Sequence, residues 1–318
     1  MERTGGPEVL TWREQPDPEP GDGELLVRLG AAGVNFIDTY HRGGLYPMPL
    51  PFTPGVEGAG TVVATGAGVR DVAPGDLVAW VDQSSGSYAE LVRVPATRAV
   101  PVPAGVEAPV AAAVLLQGIT AYFLSHDTYR LTSGTRCLVH AAAGGVGLLL
   151  VQMAKAAGAE VFATVGSPEK GELARAAGAD HVVLYRDEDF AAAVERIAGP
   201  RPLDVVYDGV GRATFDRGLD VLRPRGTMVT FGNASGPVDP VAPLTLMAKG
   251  SLVLTRPTMR DFVATTPELR ERADAVLAAV AAGALDVRIG ATLPLAEAGR
   301  AHELLEGRGT TGKVLLLP

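Results

Sequence analysis

At 318 residues the chain is long enough for about two domains and one or two full hydrophobic cores. Hydrophobic residues make up 47% and charged residues 20%, and no long polar, charged or Gln/Asn-rich tract interrupts them, which excludes a disordered chain. The 28 basic and 36 acidic residues leave a net charge of -8, so nucleic acid and anionic lipid are poor general partners.

The start, Met1 to Gly6, has neither an apolar core nor a cleavage pattern, and no secretory leader is expected. From Glu24 to Pro103 short apolar runs are broken by Gly and Pro: Leu25 to Leu29, Gly60 to Thr65, Asp76 to Val81, Tyr88 to Val94 and Ala99 to Val102. Strands this short and this closely spaced predict a compact, partly closed β-barrel-like unit. Past Pro109 the texture changes. Apolar strands begin near Arg136, Glu160, His181, Asp204, Gly226 and Ser251, at intervals of 21 to 25 residues. Each interval fits one strand and one crossover helix, which predicts a six-stranded parallel α/β sheet. The first crossover helix places Val146, Leu149, Leu150, Met153, Ala154 and Ala157 on one apolar face. That reading also accounts for Cys137 to Met153, the most membrane-like stretch, as a buried strand followed by a helix. The tail is predicted as a helix from Pro267 to Ala282, a strand near Val287, a helix from Ala296 to Leu305 and a last strand, Lys313 to Leu317. Too short to fold alone, it is expected to return and complete the first unit, making that domain discontinuous.

The sharpest local signal is Ala142-Ala143-Gly144-Gly145-Val146-Gly147, between a predicted strand and an amphipathic helix. In a dinucleotide-binding turn Gly144 lets the backbone approach a pyrophosphate, Gly147 lets helix pack on strand, and the helix N-terminus offers N–H groups to the anion. Ala142 stands where the first glycine of that pattern usually lies, and a purely structural turn is the bland alternative. The second strand ends in Gly166-Ser167-Pro168-Glu169-Lys170, without the acidic residue that would bind an NAD ribose. A serine and a lysine there suit a 2'-phosphate. The alternative for Lys170 is a solvated first-turn residue.

No metal site is predicted. The histidines, at 41, 126, 140, 181 and 302, share no helical face or loop, and His302-Glu303 lacks the second histidine of a zincin. Cys137 is the only cysteine, which leaves no intrachain disulfide or cysteine zinc site and suits a reducing cytoplasm. Only four lysines occur, at 155, 170, 249 and 313. No Gly-x-Ser-x-Gly hydrolase elbow is present.

These residues resemble the zinc-free quinone oxidoreductase (zeta-crystallin-like) branch of the medium-chain dehydrogenases/reductases. The resemblance covers nearly the whole chain. Its carriers are Gly33-Val34-Asn35-Phe36-Ile37-Asp38-Thr39-Tyr40, Gly44-Leu45-Tyr46-Pro47, the Gly-Val-Glu-Gly-Ala-Gly run at 55–60, Pro74-Gly75-Asp76, Gly118-Ile119-Thr120-Ala121-Tyr122, Ala141 to Gly147, Asp208-Gly209-Val210-Gly211, Phe231-Gly232-Asn233, Thr255-Arg256-Pro257 and Ala301-His302-Glu303-Leu304-Leu305. In zinc-dependent relatives a Cys stands in the place of Asn35 and a His in that of Val56. Relatives also place a full strand before the Gly-Gly-Pro at 5–7, where this chain has four residues.

The resemblance implies a Rossmann cofactor domain over residues 119–261 and a GroES-like catalytic domain over 1–118 and 262–318. It implies NADPH as cofactor. Phe36 and Tyr40 would lie near the nicotinamide, Phe123, Gly145 and Val146 along the cofactor, and Gly166, Ser167, Lys170 and Tyr185 around the 2'-phosphate. Val210, Phe231, Gly232, Asn233, Pro257, Thr258, Met259 and Arg308 match further cofactor contacts, and Asn35, Tyr46 and Arg256 would face the substrate. The implied reaction is metal-free hydride transfer from NADPH to a quinone. Reduction of the C=C bond of an enone, enal or enoyl thioester is the alternative within the same branch. A cofactor-binding crystallin-like or RNA-binding protein, using Arg223, Arg225, Arg256 and Arg260 as a basic patch, is a third reading. A homodimer without membrane attachment is expected.

Overall fold

Leu25, Val27 and Leu29 alternate toward one face and fold as β1 (Glu24–Val34), which runs five residues beyond its apolar pattern. The chain turns at Asn35 into α1 (Phe36–Gly43), then forms β2 (Glu57–Thr65), β3 (Leu77–Val81), β4 (Leu91–Pro95), β5 (Ala99–Pro101) and α2 (Ala108–Phe123). The computed structural model describes residues 1–82 and 86–318. α2 has no amphipathic signal, whereas α1 is amphipathic but buries its polar side, Asp38, Thr39, His41 and Arg42. α2 is apolar on nearly every side and mostly buried, as befits a core helix; with the π turn that extends it to Thr128 it is long and apolar enough to span a membrane by length and composition.

The second texture folds as β6 (Arg136–Val139), α3 (Gly145–Ala156), β7 (Glu160–Val165), α4 (Pro168–Ala176), β8 (His181–Leu184), α5 (Phe190–Ala198), β9 (Leu203–Asp208), α6 (Phe215–Asp220), β10 (Leu222–Thr230), α7 (Pro243–Ala248), β11 (Val253–Thr255) and α8 (Met259–Phe262). All six strands pair in parallel, in the order β11-β10-β9-β6-β7-β8. The order reverses between β6 and β9, which is where an open α/β sheet binds its ligand. Leu138, Phe162, Val206, Leu219 and Met228 fill its core. α3 is rotated from its predicted face: Leu148 and Val151 are buried, whereas Val146, Met153 and Ala157 are half-buried. Three consecutive leucines followed by a valine make this helix apolar on most sides, so spacing alone does not select the buried stripe.

Thr265 and Glu268 form a capping box that starts α9 (Thr266–Ala281), followed by β12 (Ile289–Pro294), α10 (Ala298–Glu306) and β13 (Lys313–Leu317). These elements return to the first. The chain divides into one compact unit of Met1–Ile119 with Thr265–Pro318 and another of Thr120–Ala264. In the first unit the sheet runs β12-β13-β1-β2-β3-β5, and β4 also pairs with β1. β1 is the hub: β2 pairs along most of it, β4 beside its first half and β13 beside its last residues. Its core gathers Leu25, Val27, Val78, Trp80, Val94 and Leu316.

Candidate functional site

The turn after β6 has the geometry its glycines foretell. A Cβ on Gly147 would stand 2.4 Å from the Ala141 carbonyl oxygen and 2.7 Å from Ala142 Cα, both backbone atoms, so only glycine lets α3 start this close to β6. Ala141 itself takes a positive φ of 52°, and Gly144 N–H closes the turn on the Ala141 carbonyl at 2.9 Å. The first-turn N–H groups of α3, which have no intrahelical acceptor, thus point out of the β6 end of the switch point. Cys137 and His140 behind the turn are buried; burial pushes the Cys137 thiol up to about 12 and the His140 imidazole down, so neither is a charged reactant.

At the end of β7 the pattern becomes cationic. Ser167 caps α4, accepting the Lys170 N–H at 3.4 Å. Because β7 and β8 pair with Val165 beside Leu184, the next residues on the two strands converge. A Cβ on Gly166 would meet the Tyr185 hydroxyl at 2.7 Å and Arg186 Nε at 3.5 Å. Lys170 has its pKa lowered, first by burial and then by the Arg186 charge, so the two cations share one field. Glu169, turned to the Ser167 hydroxyl, is held below the usual carboxylate range by that bond. Arg186 is a candidate that sequence spacing missed; its only sequence signal is that it follows Tyr185 at a parallel strand's end.

Across the switch point, buried Asp208 clamps the loop after β9. Its Oδ1 accepts the N–H groups of Val210 at 2.7 Å and Gly211 at 3.0 Å, and the Thr214 hydroxyl lies within 3.0 Å of both its oxygens. The loop after β10 lies against it. Phe231 N–H donates to the Asp208 carbonyl at 2.8 Å, and a Cβ on Gly232 would strike the Gly209 carbonyl oxygen at 2.3 Å. Val210, Phe231, Gly232 and Asn233 are therefore gathered, half-buried, at the C-terminal ends of β9 and β10. Arg256, just past β11, donates from Nη1 to the Thr230 carbonyl at 3.1 Å, and Pro257, Thr258 and Met259 lead from it into α8. Phe123 is placed differently: it is buried and stacked on Phe262 at 4.4 Å, so its ring serves packing within this unit.

The first unit holds the remaining candidates. Phe36 and Tyr40 lie half-buried on α1, and Tyr46 sets its ring edge-on to Tyr40 at 5.3 Å. Arg308 lies exposed just beyond α10 with φ 55°. Asn35 departs from the expectation that its amide faces a substrate. It is buried, its Nδ2 donates to the Gly33 carbonyl and to Glu57 Oε2 at 3.1 Å each, and its Oδ1 accepts from Gln117 at 2.6 Å and from Lys313 at 2.8 Å. Both amide hydrogens are spent within the protein, so Asn35 anchors α1 and is no free donor. Of the four arginines read as a basic patch, Arg223 is paired with Asp204 at 2.5 Å and Arg260 lies 3.6 Å from Asp261, which weakens that patch.

Residues 21–104 match the family model of the alcohol dehydrogenase GroES-like domain, and residues 145–287 that of the zinc-binding dehydrogenases. A quinone oxidoreductase of Pseudomonas aeruginosa is 45% identical over 99% of this chain and 97% of its own length. The chain belongs to the zinc-free quinone oxidoreductase branch of the medium-chain dehydrogenases/reductases. The solved structure of the Escherichia coli quinone oxidoreductase complexed with NADPH is 43% identical, covers 100% of this chain and 98% of its own, and superposes with a TM-score of 0.97. A 2-haloacrylate reductase of a Burkholderia species is 39% identical over 100% of this chain and 98% of its own length. The six-stranded parallel sheet is thus the Rossmann sheet of this family, and the β1-centred sheet belongs to its GroES-like fold.

Zinc, which one family model's description implies, does not fit the residues present. Asn35 and Val56 offer neither thiolate nor imidazole, and among the described residues no three His, Cys, Asp or Glu side chains are grouped to hold a metal ion.

Proposed function

We propose that this protein is an NADPH-dependent quinone reductase that works without a metal. The observation that carries the reading is the cation-lined end of β7 and β8 beside a glycine turn that only glycine can make, in a chain whose near relatives are quinone oxidoreductases. The Rossmann unit, approximately residues 120–264, holds the cofactor: the Gly144–Gly147 turn takes its pyrophosphate, and Ser167, Lys170, Tyr185 and Arg186 take its 2'-phosphate. NADPH, when bound, supplies a hydride from C4 of its nicotinamide. The GroES-like unit supplies Phe36, Tyr40 and Tyr46. Tyr46 donates to the oxygen on which negative charge develops, and Tyr46 or water provides the proton. A quinone suits such a site because its conjugation already spreads the incoming charge, whereas an alcohol needs a metal or strong base to ionise.

Reduction of a conjugated C=C bond is the second reading, favoured by the relative named a 2-haloacrylate reductase. The protein is proposed to act in the cytoplasm as a homodimer: Val253 on edge strand β11 and Leu244 and Met247 on α7 are large apolar side chains left exposed.

Benzoquinone or naphthoquinone should oxidise NADPH in the presence of the protein, simple alcohols with NADP should give little turnover, and a chelator should change neither result. An enone preferred over every quinone by kcat/KM would replace the first reading with the second; activity abolished by the chelator would refute the metal-free chemistry. Lys170→Ala and Arg186→Ala should each weaken NADPH about ten- to a hundredfold and hardly touch NADH, since each removes one charge-assisted bond of roughly 1.5 to 3 kcal/mol. Fluorescence titration with both cofactors checks this, and equal losses for the two would show that neither residue reads the phosphate.

A further inference from the structure

Of the four lysines, Lys313 is the buried one, and it joins segments far apart in sequence. From the first residue of β13 its ammonium donates to Glu57 Oε2 on β2 at 2.5 Å, to Asn35 Oδ1 at 2.8 Å and to Gln117 Oε1 on α2 at 2.8 Å. Three hydrogens meet three acceptors. Because an ammonium can only donate, these contacts also fix both amides: Asn35 must face it with its oxygen, which leaves Nδ2 to bond Gly33 and Glu57. The other Glu57 oxygen accepts the Leu116 N–H at 2.6 Å, so the carboxylate is satisfied as well. A methionine would fill the same space without desolvating a charge, so packing alone does not explain an ion pair here.

The cluster bears on α1. Asn35 is the residue before α1, and its own N–H is held by Asp38 Oδ2 at 2.8 Å. The start of α1 is therefore pinned from both sides, through the Asn35 side chain by Lys313 and through its backbone by Asp38. α1 carries Phe36 and Tyr40, and Tyr46 follows: its N–H donates to the Tyr40 carbonyl at 3.2 Å and its ring rests on the Tyr40 ring.

We propose that Lys313 is a positioning residue for the reduction site, fixing the Asn35 amide and with it the helix turn that sets Phe36, Tyr40 and Tyr46. The activity readout rests on the reductase reading above. Lys313→Met alone would leave Glu57 buried without a counter-ion and should fold poorly. The test is therefore Lys313→Met with Glu57→Gln, which removes both charges together and should unfold near the parental temperature. With Lys313 as a positioning residue, this double variant loses about tenfold or more in kcat with a quinone while its affinity for NADPH, read by nicotinamide fluorescence, stays parental. Parental kcat at parental thermal stability overturns the proposal. Should the double variant not fold, Asn35→Ala tests the same link, since Lys313 keeps Glu57 and Gln117; it must show the same kcat loss, and parental kcat again overturns the proposal. A parent that reduces no quinone refutes the reductase reading instead, and positioning is then decided by the crystal structure of the double variant. There a displaced first turn of α1 upholds it, and an unmoved Asn35 amide and α1 overturn it.

Discussion

Tyr46→Phe is expected to lower kcat for quinones by on the order of ten- to a thousandfold with NADPH affinity unchanged, the range for losing one transition-state donor or proton relay. The variant is a clean one because of how the ring is held. Its edge-on contact with Tyr40 and its neighbour His41, at ring distances of 5.3 and 6.4 Å, belong to the ring and survive removal of the hydroxyl. Asn35, with both amide hydrogens engaged, cannot take over as donor. Steady-state rates with benzoquinone, together with cofactor titration, separate the outcomes. A Tyr46→Phe protein that reduces quinones at the parental rate would mean that the Tyr46 hydroxyl takes no part in the reduction.

What could be read before the structure follows from where the information lies in the chain. β13 was readable to the residue, because Lys313 to Leu317 is a short apolar run bounded by glycine and the final proline. The six parallel strands were readable from their even spacing. α1 was not, since its buried side is the polar one, Asp38, Thr39, His41 and Arg42, while Phe36, Ile37 and Tyr40 are left half-buried. α2 was missed for the opposite reason, being apolar all round. Ser167 and Lys170, expected at the end of β7, are neighbours in sequence, whereas Arg186 joins them only through the register of β7 against β8. The Asn35 amide was misplaced because its partners Glu57, Gln117 and Lys313 lie 22, 82 and 278 residues away. Polar clusters closed by tertiary contacts leave no period in the sequence.

Such a cluster continues on the other side of Asp38, and it predicts an unusual dependence of stability on pH. Arg42 Nη1 lies 3.1 Å from His302 Nδ1, and a guanidinium only donates, so Nδ1 is the acceptor and Nε2 carries the imidazole hydrogen. Nε2 then donates to the Tyr88 oxygen at 3.1 Å, and the Tyr88 hydroxyl donates to Asp38 Oδ2 at 3.0 Å. Burial raises the Asp38 carboxyl from 3.8 to about 7, against the pull of the Asn35 N–H, Lys313 and Tyr88. Burial, with Arg42 beside it, lowers His302 from 6.5 to about 3. Between pH 4 and 7 the folded protein keeps a proton on Asp38 that the unfolded chain has lost, so this group's stabilisation is lost as pH rises, up to about 4 kcal/mol at 1.36 kcal/mol per unit. Between pH 6.5 and 3 the unfolded chain takes a proton on His302 that the folded protein refuses, so stability is lost as pH falls, up to about 5 kcal/mol. The two slopes oppose each other from pH 4 to 6.5 and should nearly cancel in the parent. Each variant exposes the other's slope: His302→Gln should lose stability as pH rises from 4 to 7, and Asp38→Asn as pH falls from 6.5 to 4. Urea unfolding across that range measures both. Variants that keep the parental pH profile would mean that Asp38 and His302 titrate in the fold much as they do in the unfolded chain.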